Sequence, residues 1–253
     1  MDNITLCESG LKFNTNTPLE LYRVKTLFEK EPETIAWIDS WTEVQKSIES
    51  VFFDIGANIG IFSLYAAHKS KHTKVFSFEP VSDNYVALIA NVKINAMDNV
   101  RVFNVALSNK NKLSDLYIND LRVGNSGAQI DEAVNEKQEF FQPSRVESVL
   151  CFSLDNLISG FQIPFPNFIK IDVDGHETDI LSGMTKTLSD KRLIYILVEF
   201  NNNQELNVWK ERLQELGLKL DDRFDNVDGH SRFRRMKNNS TAINSIFSRY
   251  KTA

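Results

Sequence analysis

One stretch of this chain restricts its fold more than any other: ten residues, Val-Phe-Phe-Asp-Ile-Gly-Ala-Asn-Ile-Gly, at positions 51–60. A short apolar run followed by glycines predicts a buried strand, a tight turn and the start of a helix. A second apolar run then ends in a carboxylate, Glu79, which lies 25 positions after Asp54. A strand, a glycine turn, a helix and a second strand ending in an acid are typical of a nucleoside-binding α/β unit.

The spacing within the turn distinguishes between nucleoside cofactors. A dinucleotide is held by free backbone N–H groups at a helix start, usually in a turn with G-x-G-x-x-G spacing. Here the glycines are Gly56 and Gly60, and the turn begins with Asp54, whose carboxylate would repel a phosphate. The same carboxylate suits a cationic ligand that carries an ammonium and a sulfonium, such as S-adenosylmethionine, and Glu79 suits two ribose hydroxyls. The alternative is a structural turn whose glycines serve packing alone.

Length, charge and cysteine content limit the class of protein. The 253 residues fit one α/β domain at 51–253, with a helical, substrate-side extension at 1–50. The longest apolar run, Leu193–Val198, is too short to span a membrane, and no secretory signal is predicted. The two cysteines form no C-x-x-C pair or metal-type cluster, so we expect a reduced, cytoplasmic protein without a metal. A net charge of −5 argues against nucleic acid and anionic membranes as partners.

Strands and helices are predicted to alternate from residue 51 onward, as in a mainly parallel sheet covered by helices. The predicted strands are 51–55, 74–78, 100–107, 168–173, 193–200, 218–220 and 242–250. The last two have no helix between them, which predicts an antiparallel edge. One helix is predicted to begin near Pro32, and four more are predicted at 59–68, 85–92, 176–188 and 206–216. A hairpin near 113–118 and a long loop at 119–148 complete the pattern, and such loops are often lids.

Acidic residues end four of the predicted strands: Asp54, Glu79, Asp172 and Glu199. Because ligands of open α/β sheets bind at the carboxyl ends of the strands, these acids would gather in one crevice. Such a crevice suits a cationic cofactor and the removal of a proton from a hydroxyl. The alternative is that the acids cap the helices that follow, and for Asp172 and Asp174 both roles are open.

His176 is the one histidine in a predicted site, and its near-neutral titration makes it a candidate general base. The positive end of a helix opposes its protonation and would keep it a neutral hydrogen-bond acceptor. The alternative is a histidine that serves packing or hydrogen bonding. A basic run at 232–237 follows several aspartates and is interpreted as a solvated loop, with contact to an anionic substrate as the alternative.

An ordered series of motifs extends from about residue 31 to residue 250. The motifs are Glu31-Pro-Glu-Thr34, Phe53-Asp-Ile-Gly-Ala-Asn-Ile-Gly60, Phe78-Glu-Pro80, Val105-Ala-Leu-Ser108, Ser153-Leu-Asp-Asn156, Ile169-Lys-Ile-Asp-Val-Asp-Gly-His-Glu177, Val198-Glu-Phe-Asn201 and Asn244-Ser-Ile-Phe247. This series resembles the FkbM family of S-adenosylmethionine-dependent methyltransferases. Family patterns usually carry Glu where this chain has Asp174, so the acid is kept but shortened by one methylene.

The resemblance implies an α/β class I methyltransferase (Rossmann-like) fold: a three-layer sandwich around a seven-stranded, mostly parallel sheet with an antiparallel last strand. It implies O-methylation, often of a hydroxyl on a sugar of a bacterial surface glycan or on a secondary metabolite. The cofactor is S-adenosyl-L-methionine. Its implied binding residues are Asp54, Gly56, Asn58 and Gly60 for the methionine portion, Glu79 for the ribose, and Asn104, Ala106 and Ser108 near the adenine. The implied catalytic residues are Asp172, His176 and Glu199, with Glu177 nearby.

Three rival functions are considered. The first is a methyltransferase acting on nucleic-acid bases. It is disfavoured because enzymes that methylate exocyclic amines of bases tend to place Pro-Pro-aromatic after the fourth strand, where this chain has Asp172-Val-Asp-Gly175. An NAD-dependent oxidoreductase is disfavoured by the turn spacing and by Asp54. A catalytically inactive cofactor-binding protein would share every strand-end acid with an active enzyme. Substrate choice is expected to lie in residues 1–50 and in the loop at 119–148.

Overall fold

The computed structural model describes residues 3–44, 48–135, 137–227, 230–231 and 242–249, so the basic run at 232–237 lies outside the described residues. The helices and strands, in chain order, are β1 (Ile4–Leu6), β2 (Lys12–Asn14), α1 (Pro18–Lys25), α2 (Leu27–Lys30), α3 (Pro32–Val44), β3 (Ser50–Ile55), α4 (Ile61–Lys69), β4 (Thr73–Phe78), α5 (Ser82–Ile94), β5 (Val100–Phe103), β6 (Ala106–Leu107), β7 (Lys112–Ile118), β8 (Gln129–Ile130), β9 (Arg145–Phe152), α6 (Leu154–Phe161), β10 (Phe168–Ile171), α7 (Glu177–Ser182), α8 (Thr185–Ser189), β11 (Tyr195–Phe200), α9 (Asn203–Glu215), β12 (Lys219–Leu220), a 3₁₀ turn (Asp222–Phe224), β13 (Asn226–Val227), β14 (His230–Ser231) and β15 (Ile243–Ser248). No helix among them is long and apolar enough to cross a membrane.

The main sheet has seven strands in the order β12-β15-β11-β10-β3-β4-β5. β15 runs antiparallel to both of its neighbours, and the pairs between β11 and β5 are parallel. The predicted seven-stranded, mostly parallel sheet with a reversed last strand is therefore confirmed. The predicted antiparallel edge is formed by the last two strands, with β12 outermost and β15 one strand inside. All six residues of β15 are buried, and the two-residue β12 covers its outer side.

The central strand β3 is buried on both faces, as expected for a parallel sheet between two layers of helices. Successive side chains point to opposite faces, so Phe52 and Phe53 belong to different apolar clusters. The N-terminal helix α3 adds Trp37 to the cluster of Phe52, with ring centroids 5.9 Å apart in an edge-to-face arrangement. Residues of the predicted N-terminal extension thus share a core with the sheet.

A second sheet, in the order β6-β9-β7-β8, occupies much of the region predicted as a hairpin and a loop. β7 pairs antiparallel with β9 from Lys112↔Cys151 to Ile118↔Arg145. The loop prediction for 119–148 is therefore wrong at both β8 and the start of β9. Each strand alternates between exposed and buried residues, but the partner of β7 lies far along the chain, where local periodicity cannot identify it.

Two predicted elements are divided by tertiary contacts. The strand predicted at 100–107 splits at Asn104, whose side-chain amide donates to the carbonyls of Glu79 and Pro80. The helix predicted at 176–188 is two short helices, α7 and α8. A Cβ on Gly183 would lie 2.2 Å from the backbone oxygen of Ser108, so the chain approaches another backbone closely there. The carboxylate of Asp155 then accepts from the N–H groups of residues 186 and 187 and caps α8.

Candidate active site

A cleft lies at the carboxyl ends of β3, β4, β10 and β11 and encloses about 1000 Å³ when its open mouth is included. Its walls come from the glycine turn, the strand-end acids, the segment at 125–128 and the helices α1 and α2. A smaller, mainly apolar pocket of about 360 Å³ adjoins it and includes Val105, Ala106, Leu116 and Ile130. The two cavities share wall residues, so together they offer a polar site continuous with an apolar one.

The glycine turn is pressed against the end of β10. Gly56 has a φ of +82°, and a Cβ there would lie 1.9 Å from the backbone oxygen of Asp172. Its N–H donates to the carbonyl of Phe78, which ties the turn to β4 as well. Gly60 serves packing: a Cβ there would lie 2.1 Å from Leu88 Cδ1 of α5. Gly56 lines the cleft and Gly60 does not. The two positions therefore require glycine for different reasons: the approach of β10 at Gly56, and helix packing at Gly60.

Glu79 lies at the end of β4 on the cleft wall and is only 4% exposed. Its two oxygens accept from the backbone N–H groups of Asn58, at 2.7 Å, and of Val81, at 2.9 Å. Burial raises the pKa of the carboxyl to about 7, although these N–H groups oppose the rise. A strand-end carboxylate beside an apolar pocket fits the ribose and adenine of a nucleoside, which is the chemistry that S-adenosylmethionine requires.

Asp54 lies beneath the glycine turn and not on the cleft wall. It is 1% exposed, and its Oδ2 accepts from Ser63 Oγ at 2.5 Å. Oδ1 is buried with no hydrogen-bond partner among the described residues. Burial raises the pKa of this carboxyl, while the nearby ammonium of Lys170 and the Ser63 hydroxyl lower it. From this position Asp54 supports the glycine turn from below, and its side chain does not line the cleft where a ligand would bind.

Three charged side chains meet on the wall at the ends of β10 and β11. Lys170 is 1% exposed, and its Nζ lies 2.5 Å from Asp172 Oδ2. The carboxyls of Asp172 and Glu199 lie side by side, and each influences the pKa of the other. Lys170 keeps the pKa of Asp172 well below its usual range, and burial beside Asp172 raises that of Glu199 well above it. The cluster therefore favours the ionised form of Asp172 and the protonated form of Glu199.

The remaining predicted residues lie in the adjoining pocket, in the protein interior or, for Asn104, at an exposed position after β5. Ala106 and His176 line the apolar pocket. Asn104 Nδ2 donates to the carbonyls of Glu79 and Pro80, and the buried Ser108 donates its N–H to the carbonyl of Phe152. His176 Nε2 accepts from the N–H of Ile130 at 3.2 Å, so it is joined to β8 and not to the Asp172 cluster.

The segment at 123–130, here named the lid, closes one side of the cleft. The backbone carbonyl of Asn125 accepts from Asn58 Nδ2 at 2.9 Å and from Asn84 Nδ2 at 3.0 Å, which ties the lid to the glycine turn and to α5. The N–H of Gly127 donates to Asp174 Oδ2 at 2.8 Å. Asp174 has a φ of +57°, a left-handed conformation that aims its short side chain at the lid. The shortened acid at this position is thus used for holding the lid.

Polar cleft residues that the sequence arguments did not indicate include Glu31, Asn84, Lys170 and the basic residues Arg23 and Lys30. Lys170 had a recognisable signal, because a single lysine inside the apolar run Phe168–Ile171 has to be paired if it is buried. Glu177, predicted near the acceptor, is buried and accepts from the N–H groups of Val173 and Gly175. It therefore shapes the turn after β10 and does not line the cleft.

The strand order, the glycine turn at the end of the central strand and the acid after the next strand define a class I S-adenosylmethionine-dependent methyltransferase. The N-terminal domain of human METTL16 in complex with SAH has the same fold, with a TM-score of 0.50 and 13% identity, over 98% of this chain and 89% of that one. A profile described as "Methyltransferase FkbM domain" matches residues 54–227. The chain belongs to the FkbM methyltransferase family.

Two relatives are methyltransferases whose names give a substrate or a position of methylation. "Hexuronic acid methyltransferase AglP" of Haloferax volcanii is 24% identical over 185 residues, which are 73% of this chain and 69% of the relative. "2-O-methyltransferase NoeI" of Sinorhizobium fredii is 28% identical over 154 residues, 58% of this chain and 62% of the relative. The chain thus spans roughly two thirds of the length of these relatives.

Proposed function

We propose that this protein is an O-methyltransferase that uses S-adenosyl-L-methionine to methylate a hydroxyl of a sugar, in a surface glycan or its precursor, or of a secondary metabolite. The observation that carries the proposal is the Asp172 carboxylate on the cleft wall, ion-paired with the buried Lys170 and lying between Glu199 and the glycine turn. An ionised carboxylate there can accept the proton that a hydroxyl must lose.

When bound, S-adenosylmethionine supplies a methyl group on a positively charged sulfur. Gly56 and Asn58 are assigned to its methionine portion, Glu79 to the ribose hydroxyls, and Ala106 with the adjoining apolar pocket to the adenine. Asp54 and Gly60 are assigned to supporting the turn from below. Asn104 and Ser108 are assigned to holding the backbone around the pocket rather than to direct contact.

Asp172 is proposed as the group that accepts the acceptor's proton. A low pKa makes Asp172 a weak base, but an alcohol oxygen that gains a methyl group becomes a strong acid, so a weak base suffices. The pKa of Glu199 is raised well above its usual range by burial beside Asp172, so Glu199 is proposed to carry a proton, to donate it in a hydrogen bond to Asp172 and to orient that carboxylate. Alignment of the hydroxyl in the cleft supplies most of the acceleration, on the order of 7–11 kcal/mol for a well-placed pair.

His176 is proposed as a residue that positions the lid and not as the base. Its Nε2 is occupied by the N–H of Ile130, and Asp179 Oδ2 lies 4.0 Å from its Nδ1. The Ile130 N–H thus already occupies the Nε2 lone pair, and Nδ1 faces Asp179 rather than the Asp172 cluster.

A sugar is favoured as acceptor by two observations. The acceptor end of the cleft carries carboxyl groups that accept hydrogen bonds from hydroxyls, and the relatives are named for methylation of a hexuronic acid and at a 2-O position. A nucleic acid is disfavoured by these carboxyls and by the net charge of −5, although the basic residues Arg23 and Lys30 also line the cleft. Residues 1–50 are proposed as the substrate-side extension, because α1 and α2 line this end. A cytoplasmic site of action, with the cofactor and sugar nucleotides at hand, is part of the proposal.

The test is incubation of the protein with methyl-labelled cofactor and with surface-polysaccharide extracts or sugar-nucleotide precursors, followed by mass analysis. We expect an O-methylated sugar from the wild type and at least about 100-fold slower transfer from Asp172→Asn. Calorimetry with S-adenosylhomocysteine serves as the control and should give similar affinity for both proteins. Retained cofactor affinity without transfer to any fraction would favour an inactive cofactor-binding protein instead.

A further inference from the structure

A buried carboxylate that the proposed mechanism does not use lies in the same cleft. Glu31, at the junction of α2 and α3, is 6% exposed and lines the cleft with Asp172 and Glu199. Its Oε2 accepts from Thr34 Oγ1 at 3.1 Å and from Asn244 Nδ2 at 3.2 Å. No hydrogen bond to Oε1 occurs among the residues that the structure describes.

The orientation of the Glu31 carboxylate is set by the fold, because its Oε2 is held by residues of α3 and β15. Asn244 belongs to β15, directly opposite Glu199 of β11 in the strand register. The same amide donates to Glu33 Oε1 at 2.9 Å, but Glu33 does not line the cleft. Two donors therefore hold one oxygen of Glu31 in place, and the other oxygen remains for a group in the cleft.

The charges around Glu31 indicate which kind of group that is. Glu31 contributes to the raised pKa of both Lys170 and Glu199, so it lies close to the proton-accepting cluster. A second ammonium would be repelled by Lys170, and an anionic group would be repelled by Glu31 and Asp172. A neutral hydroxyl can donate to Oε1 without either cost.

We propose that Glu31 is a specificity-determining residue that accepts a hydrogen bond from a second, unmethylated hydroxyl of the acceptor. The inference rests on the proposed O-methyltransferase function and deepens it: the acceptor carries at least two hydroxyls, one against Asp172 and one against Glu31. A molecule with a single isolated hydroxyl leaves the buried carboxylate of Glu31 without a donor, and buried polar groups left unpaired reject a ligand.

The experiment uses the full-length protein, methyl-labelled cofactor and a panel of methyl glycosides of hexoses and hexuronic acids. For each glycoside that is methylated, its monodeoxy derivatives are assayed one by one. One derivative lacks the target oxygen and gives no product at that position. We expect another derivative to lose on the order of 10- to 100-fold in kcat/KM with the wild type, because its hydroxyl no longer reaches Glu31.

The variants separate recognition from structure. Glu31→Ala and the isosteric Glu31→Gln should transfer methyl to the parent glycoside more slowly, and Glu31→Ala should treat parent and deoxy derivative alike. Glu33→Gln alters a carboxylate on the same Asn244 but outside the cleft, and it should keep the wild-type discrimination. Saturation-transfer NMR of the parent and deoxy glycosides, with S-adenosylhomocysteine present, should show the same loss of preference without turnover.

Two results would overturn the inference in distinguishable ways. Wild-type discrimination between parent and deoxy glycosides in both Glu31 variants would remove the role of Glu31 while leaving the O-methyltransferase intact. Normal S-adenosylhomocysteine binding with no methyl transfer to any glycoside would reject the sugar acceptor itself, and the inference with it.

Discussion

At the scale of single residues, Lys170 decides how the acids of the cleft behave. A lysine in a buried strand is stable only with partners, and here Asp172 supplies an ion pair while Asp54 and Glu31 add attraction. Its ion pair is with Asp172, which lowers the pKa of that carboxyl, while burial beside Asp172 raises the pKa of Glu199. For that reason Asp172 is the proposed base, although Glu199 has the same functional group and ends a neighbouring strand.

Replacing Lys170 by Met should destabilise the protein in a pH-dependent way. The pKa of Asp172 is lowered in the folded state, so its stabilising ion pair is present at neutral pH and is lost only as pH falls through that low value. In Lys170→Met, we expect a loss of about 3 kcal/mol in the free energy of unfolding at pH 7. The loss should shrink near pH 4, because Asp172 without its partner is then protonated.

Urea unfolding at the two pH values measures this effect, with Lys186→Met as the control. Lys186 is exposed on α8, so its replacement should change the free energy of unfolding by less than about 0.5 kcal/mol. An equal loss at both pH values in Lys170→Met would mean that Asp172 is not the partner that matters.

Glu79 should make cofactor binding depend on pH. Only the ionised carboxylate can accept from both ribose hydroxyls, and burial raises its pKa to about 7. We therefore expect S-adenosylhomocysteine to bind about ten-fold more weakly at pH 6 than at pH 8, since the fraction of ionised Glu79 falls by that factor. Glu79→Gln should bind more weakly at pH 8 and lose this dependence on pH in calorimetric titrations.

Glu177 provides a matched control for the Glu79 experiment. Burial raises the pKa of its carboxyl to about 7 as well, but it lies outside the cleft. Glu177→Gln should therefore keep the wild-type change in affinity between pH 6 and pH 8. A flat profile in the wild type, or the same loss of pH dependence in both variants, would contradict the assignment of Glu79 to the ribose.

At the scale of elements, the turn between β3 and α4 joins three strands. The end of β10 packs against Gly56. The backbone N–H groups of Gly56 and Ala57 both donate to the carbonyl of the last residue of β4. The sequence predicted the turn because its glycines and the flanking periodicity are local. It did not predict β9, because the pairing of β7 with β9 depends on contacts between segments far apart in the chain.

Replacing Gly56 by Ala tests the contact between elements. The new Cβ would meet backbone atoms of Asp172, which cannot move aside as a flexible side chain can, and the positive φ adds strain. We expect a loss of about 3 kcal/mol in the free energy of unfolding and no measurable binding of S-adenosylhomocysteine. Chemical denaturation and calorimetry provide the two measurements.

Gly160 is the control, since a Cβ there meets no heavy atom within 4 Å and the residue lies in helix α6. Gly160→Ala should leave cofactor binding unchanged and stabilise the protein by up to about 1 kcal/mol. Wild-type cofactor affinity in Gly56→Ala would show that the close approach of turn and β10 does not shape the site.

At the scale of the whole molecule, the N-terminal helices are part of the main core. Trp37 is fully buried and contacts the rings of Trp41, Phe52 and Tyr195, which come from three different elements. Residues 1–50 and 51–253 were predicted as separate units, and their shared apolar cluster makes a single cooperative unfolding transition the expected behaviour.

Trp37→Ala tests this expectation. Removal of the ring should lower the free energy of unfolding by about 3–5 kcal/mol while the transition remains single, because the cavity weakens the core that all elements share. Far-ultraviolet circular dichroism and tryptophan fluorescence should give coincident curves. Tyr22→Ala, at a side chain 54% exposed on α1, should change little. Two separate transitions in the wild type would show that the N-terminal residues fold as their own unit.

The sequence by itself determined the strands of the main sheet, the glycine turn and the acid that follows the second of these strands. These features depend on local causes: the period of buried side chains along a strand, and the backbone conformation that glycine permits. The family assignment also followed from the order of short motifs.

Only the tertiary structure decided which of the acids face the cleft. Asp54 and Asp172 end adjacent strands, yet packing buries the first below the turn and pairs the second with Lys170 and Glu199. His176 is joined to the lid, and Glu31 is oriented by Asn244, 213 positions further along the chain. Such contacts depend on how distant elements pack against one another, and no local pattern of residue types specifies them.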